Sequence, residues 1–243
     1  MLRRPAVALL VVIASALAPV GHASAQSISQ FAAWSALMLS PVGALPAVER
    51  DSRQLSRGWE VDARYGRWRY DIDDAIHDDA GLTLSHALAG AVDLSVTGAY
   101  LSLSCGTCAG WISGGLQARV PLVNVHVASI GERDVSLSLG LRGDVGLAHY
   151  RGEGGANARS ISGNVAITLE TPAPLGSRLA FAVLPGIGGG RVVSVDLTAQ
   201  DTRPMLGGTV AWTFRSGLAL HAGIQRIVID GGPSQLGLAL SWR

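Results

Sequence analysis

The sequence predicts an all-β protein, an antiparallel transmembrane β-barrel of about ten strands, with about eight as the alternative. Three observations predict it. Apolar residues alternate with polar or small ones in successive runs after residue 57, turn residues cut those runs, and aromatic side chains gather near the run ends. A period of two marks a strand whose two faces differ chemically. The clearest run is Val135-Ser136-Leu137-Ser138-Leu139-Gly140-Leu141-Arg142-Gly143-Asp144-Val145. In a soluble sandwich its polar face would meet water; in a membrane barrel its apolar face would meet lipid.

Taken in order, residues 1–25 read as a secretory signal peptide. Arg3 and Arg4 are the positive start, Ala6 to Ala18 the apolar stretch, and Ala23-Ser24-Ala25 the small residues of a cleavage site. Residues 26–57 lack the alternation and read as an irregular leader. Phe31, Trp34 and Leu37 fall at helical spacing there, so a short helix is the other reading. The barrel then occupies 58–243, with strands predicted near 58–70, 80–88, 91–103, 110–121, 134–149, 159–170, 177–188, 204–214, 217–229 and 234–242. Stretches 71–79, 104–109, 150–158, 189–203 and 230–233, rich in Gly or charge, read as loops. Tight turns fall at Ala89-Gly90, 171–176 and Arg215-Ser216, with a longer link at 122–133. Apart from that link, short and long connections alternate, as turns and outer loops do in membrane barrels. No stretch after the signal peptide is apolar for the length of a helical span.

Two belts of aromatics emerge from this assignment. Trp59, Phe181, Trp212, Phe214 and Trp242 fall near one set of strand ends, and Trp68, Tyr70, Tyr100, Trp111 and Tyr150 near the other. Amphipathic rings favour the headgroup zones of a bilayer. On the opposite face the register collects Glu60, Asp62, Arg64, Asp93, Arg119, Arg142 and Asp144, with Gln117, Asn164, His221 and Gln225. Acids and bases mixed in an enclosed lumen must pair, because an isolated buried charge is very costly. The low charged fraction, 15%, suits a surface that does not face water all round. A net charge of +1 with no basic run argues against a nucleic-acid partner.

With its signal peptide, its alternating strands and the closing run Leu236-Gly237-Leu238-Ala239-Leu240-Ser241-Trp242, the chain resembles the small outer-membrane β-barrel proteins of Gram-negative bacteria. The resemblance covers about residues 58–242 and implies residence in the outer membrane. It also implies contact with membrane lipid and lipopolysaccharide, and insertion by the barrel-assembly machinery. Family members usually end on an aromatic; here Trp242 is penultimate. The leading expectation is a non-enzymatic protein, structural or passing small solutes through a narrow lumen. A recognition protein acting through loops 71–79, 150–158 and 189–203 is the alternative, and an outer-membrane hydrolase the third reading.

Five motifs invite chemistry. Cys105-Gly106-Thr107-Cys108 reads as a disulfide clamping a loop of an exported protein; redox catalysis, a metal site and free thiols are the alternatives. Asp71, Asp73, Asp74, His77 and Asp78 form an acidic cluster that could hold a divalent cation, though without the Gly and Glu of an EF-hand loop; no other cofactor is expected. Ser85 and His86 are adjacent, but neighbours in a strand face opposite ways. The run Gly186-Ile187-Gly188-Gly189-Gly190 has no phosphate-loop Lys and reads as Gly that relieves crowding in the wall. His77 and His149, with Asp73 and Asp74, lie near the predicted outer rim, where surface proteases of the omptin type carry Asp and His pairs.

Overall fold

Ten strands close on themselves. In the computed structural model β1 (Trp59–Arg69), β2 (Ile76–Leu88), β3 (Val92–Leu103), β4 (Trp111–Ile130) and β5 (Arg133–Tyr150) are followed by β6 (Ala156–Pro172), β7 (Arg178–Ser194), β8 (Thr198–Thr213), β9 (Leu218–Ile227) and β10 (Ser234–Trp242). Every strand pairs antiparallel with its chain neighbours, and β1 pairs with β10 to complete the ring. The structure describes residues 59–242 apart from 70–75, 89–91, 104–109, 132, 153–154, 197 and 229–233. The predicted signal peptide and leader lie outside the described residues.

Burial runs opposite to that of a water-soluble protein. Leu82, Leu116, Leu147, Ile224 and Leu236 point away from the ring and are 62%, 61%, 59%, 55% and 58% exposed. Arg64, Asp93, Arg119, Arg142 and Asp144 point into it and are buried. Water would not tolerate so continuous an apolar wall, since soluble monomers rarely expose patches beyond a few hundred Å². Hydrocarbon does, provided every backbone N–H and C=O is paired within the wall. This inversion turns the two-residue period toward lipid: it is the wall of a transmembrane barrel.

The hydrogen-bonded register fixes the tilt. A path across the strands from Thr202 passes Gly189, Ile161, Val145, Leu116, Val96, Leu84, Val61, Trp242 and Leu218, and returns to β8 at Phe214, twelve residues further on. Closure with such a stagger tilts the strands by about 40°. At one end, the turn end, Trp59, Phe181, Trp212 and Trp242 all face outward. Trp212 Nε1 donates to Ser177 Oγ at 2.8 Å, which ties the belt to the β6–β7 turn.

The strands run further than the sequence suggests. Residues 189–203, expected as a loop, are wall: Gly189 pairs with Thr202, Gly190 with Asp201 and Arg191 with Gln200, leaving 195–197 as the connection. Glycine permits this closeness. A Cβ at Gly186 would sit 2.5 Å from the Gly163 carbonyl oxygen, and one at Gly189 would sit 2.9 Å from Thr202 Oγ1. The 150–158 loop shortens similarly to 151–155, and β2 takes in residues 76–79 of the 71–79 loop. The 122–133 link is also strand. β4 and β5 continue as a hairpin that turns at Gly131 (φ 63), with bulges where Leu122 and Val127 are the extra residues. β3 stops pairing with β4 at Asp93–Arg119, so this hairpin projects beyond the rim at the turn end. The longest projection described is therefore on the opposite end from the predicted outer loops.

A charge placed on the outer face reads membrane depth. Leu116→Arg, in the middle of the band, is expected to lower folding stability in phospholipid bilayers by about 2–4 kcal/mol. Val193→Arg, near the loop-end rim, should cost about 0–1 kcal/mol. Equal costs at the two depths in bilayer-based unfolding would contradict this placement of the wall in the membrane.

Candidate functional site: the lumen and its mouths

Side chains of β3 to β6 meet inside the ring in two adjacent rows. One row is Asp93, Arg119, Arg142 and Asn164; the next toward the loop end is Ser95, Gln117, Asp144 and Ser162. Alternation sends all eight inward, and register sets acid beside base. Arg119 makes an ion pair with Asp93, its Nε donating at 3.1 Å to Oδ2. Arg142 Nε donates to Asp144 Oδ1 at 3.0 Å, Gln117 Nε2 to the same oxygen at 2.8 Å, and Ser162 Oγ to Oδ2 at 3.0 Å. Two arginines stand directly opposite one another, Arg119 and Arg142, each held by its own carboxylate. The four charges cancel.

The rest of the lumen is built the same way. Arg203 and Asp201 pair at 2.7 Å toward the loop end, and Arg178 and Glu170 at 2.5 Å toward the turn end. Arg64 is buried over Gly81, where an added Cβ would lie 2.9 Å from its Nε. His221 Nε2 and Ser241 Oγ are 2.6 Å apart, and Thr97 Oγ1 donates to Thr83 Oγ1 at 3.1 Å. Between Arg142, Asp144, Asn164, Met205 and Gln225 lies a cavity of about 20 Å³, room for about one water molecule. Side chains of the paired rows line this cross-section.

Other sequence candidates fall as follows. Asp62 is half-buried; the side chains of Glu60, Trp68 and His77 lie outside the described residues, as do Tyr70, Asp71, Asp73, Asp74, Cys105 and Cys108. Asp78 lies on β2 and accepts hydrogen bonds from Tyr65 Oη at 2.6 Å and Arg67 Nε at 2.9 Å. Among the described residues no group of three metal-ligating side chains forms. The rings of Phe214 and Trp212 meet at a tilt with centroids 4.8 Å apart, on the face that carries Trp59, Phe181 and Trp242, and Tyr100 faces outward at the other end. Trp111 and Tyr150 do not join the outer belt. They share the inward parity of Ser113 and Ala148, and their rings meet 5.3 Å apart at the loop-end mouth. His86 stacks on Trp59 at 4.6 Å on the outer face. His149 Nδ1 lies 3.0 Å from Asn157 Oδ1, also outside.

Sequence reasoning missed one arrangement. On the projecting hairpin, His126 Nε2 is 3.3 Å from Ser129 Oγ and His126 Nδ1 is 3.3 Å from Asp134 Oδ1. Residues three apart in a regular strand face opposite ways; the extra residue Val127 puts His126 and Ser129 on one face, with Asp134 opposite Ser129. A bulge leaves no mark in the sequence. Asp201–Arg203, by contrast, has the same i, i+2 spacing as Arg142–Asp144 and was there to be read.

No family model matches this chain, and no curated protein does. Solved structures do match. The β domain of the Bordetella autotransporter BrkA is 12% identical with a TM-score of 0.42, covering 76% of this chain and 98% of that one. The N-terminal β-barrel domain of Pseudomonas aeruginosa OprF is 13% identical at 0.30, covering 75% and 96%. Yersinia pestis Ail, the attachment invasion locus protein, is 8% identical at 0.29, covering 76% and 95%.

The lumen pairs yield a stability test. Arg119→Ala leaves Asp93 buried without its partner and is expected to cost about 3–5 kcal/mol, whereas Arg119→Met with Asp93→Leu should recover most of that loss. Urea unfolding from bilayers measures both; a double variant as unstable as the single would contradict the paired-lumen account.

Proposed function

We propose that this protein is an integral β-barrel of the bacterial outer membrane with a non-enzymatic, structural role, its lumen closed by its own side chains. The observation that carries the reading is the interior network, in which Arg119–Asp93 and Arg142–Asp144 lie in adjacent rows and neutralise one another. A general solute channel needs an open aqueous cross-section, which barrels of 16–18 strands have. Export by residues 1–25 and insertion by the barrel-assembly machinery belong to the same proposal. Recognition through the 189–203 stretch loses its basis, since that stretch is wall.

Planar-bilayer recording of the refolded protein is the direct test. We expect no stable conductance beyond small, brief steps; a large, steady channel would overturn the closed-lumen reading. Heat-modifiable gel mobility and recovery in outer-membrane fractions are expected. Soluble periplasmic recovery would overturn the location.

The His126, Ser129 and Asp134 arrangement favours a second reading, a hydrolase acting from the projecting hairpin. Carboxylate, imidazole and hydroxyl stand in the order of a nucleophile activated by a base. The His and Asp side chains are 47% and 51% exposed, however, and water on all sides weakens such a relay. We expect a fluorophosphonate probe to leave the folded protein unlabelled. Labelling abolished by both Ser129→Ala and His126→Ala would establish the hydrolase instead.

A further inference from the structure

The outer face of β5 to β8 carries two charged residues among those described, and both are arginines. Arg159 on β6 and Arg191 on β7 are direct cross-strand partners, both exposed and both facing outward. Every other outward position on these strands whose side chain is described is apolar, Gly, Pro or neutral polar. Like charges directly opposite in a sheet destabilise it. Inside the barrel the same juxtaposition, Arg119 opposite Arg142, is relieved by Asp93 and Asp144. Outside there is no such relief: among the described residues neither Arg159 nor Arg191 has a hydrogen-bond or ion-pair partner. Among the described residues nothing balances the charge on this face.

Depth says what can balance it. Arg191 lies ten residues along β7 from Phe181 of the turn-end belt, about 25 Å of height at this tilt. That equals the usual apolar band of a membrane barrel, about 25 Å. The two guanidiniums therefore stand at the far headgroup level. Below them on the same columns are Ile161, Val165, Ile187 and Val183, a surface for acyl chains. Gln200 extends the row beside Arg191, and Asn157 lies next to Arg159 on the loop-end side. Guanidinium groups match phosphate oxygens in bidentate geometry. A phosphomonoester carries about −1.5 to −2 charges at neutral pH and can neutralise both arginines; a phosphodiester carries one negative charge and cannot.

We propose that Arg159 and Arg191 form a binding site for the phosphomonoester headgroup of a lipid in the leaflet at the loop end, on the outer-membrane reading a phosphorylated glycolipid. The site clamps the phosphate between two strands and lays the acyl chains along β6 and β7. It is part of the lipid-facing wall, separate from the lumen.

The test uses the full-length protein in phosphatidylcholine nanodiscs, with bisphosphorylated lipid A as the probe, read by native mass spectrometry and thermal unfolding. Wild type is expected to retain lipid A and to melt higher in its presence. Arg159→Gln with Arg191→Gln should bind at least about tenfold more weakly and show no lipid-dependent rise, while melting no lower than wild type without lipid A. Dephosphorylated lipid A should bind both proteins equally. Equal retention by wild type and the double variant would overturn the site. So would equal stabilisation by phosphatidylglycerol, a diester, or by inorganic phosphate, which would make the pair a general anion contact. The site rests on the membrane reading, and the two fail differently. A protein without heat-modifiable mobility in phosphatidylcholine alone would refute the barrel's membrane placement, whereas a folded barrel indifferent to lipid A would refute the site alone.

Discussion

Hydrocarbon offers the backbone no hydrogen-bond partner, and this single constraint organises the molecule. Each N–H and C=O inside the bilayer must be satisfied within the wall, so the sheet can have no edge there. The β1–β10 ladder meets that demand. Once the ring is closed, side chains are free to reverse the usual order, with leucine and valine outside and arginine and aspartate within. The β3–β4 ladder ends in agreement with the same rule. β4 loses its β3 partner only past Arg119, where the hairpin leaves the rim at the turn end.

The inverted pattern also explains the interior. A ring of ten strands with a twelve-residue stagger has a fixed, narrow bore, and that bore must be filled. Apolar filling would turn each strand into a continuous hydrophobic run. Polar filling keeps every strand alternating, so that no segment approaches the length of a helical span. The cost of enclosing charge is offset by pairing, as Asp144 shows by accepting from Arg142, Gln117 and Ser162 at once. Arg119 and Arg142 can face one another because their acids lie in the same pair of rows.

Strand count and facing were legible because alternation is written in every run, as in Val135 to Val145. The placement of Arg142 and Asp144 followed from parity alone. Parity also decides Trp111 and Tyr150, which nearness to strand ends misplaces. They share the face of Ser113 and Ala148 and so look into the mouth. Loop lengths come out too long wherever glycine is read as a break: Gly188 to Gly190 pair fully with β8 because a strand packed against Thr202 has little room for a Cβ. The bulges at Leu122 and Val127 were invisible, since an extra residue in one strand is defined only by its partner. With them went the His126–Ser129 contact. The Arg159–Arg191 pair lay hidden for the same reason: two arginines far apart in sequence become neighbours through register alone.

The seam between Val61 and Trp242 ties the first strand to the last. Synthesis runs from one end, so β1 waits with one side unmatched until nearly the whole wall has been made. No partial product has a finished rim, and long-range pairings of this kind form slowly. Until then the chain is an unclosed polypeptide whose unmatched strand edges are open to pairing with strangers. The ring cannot close before its final strand, Ser234 to Trp242, is in place, which makes that strand as consequential for the fold as any charge buried at its centre.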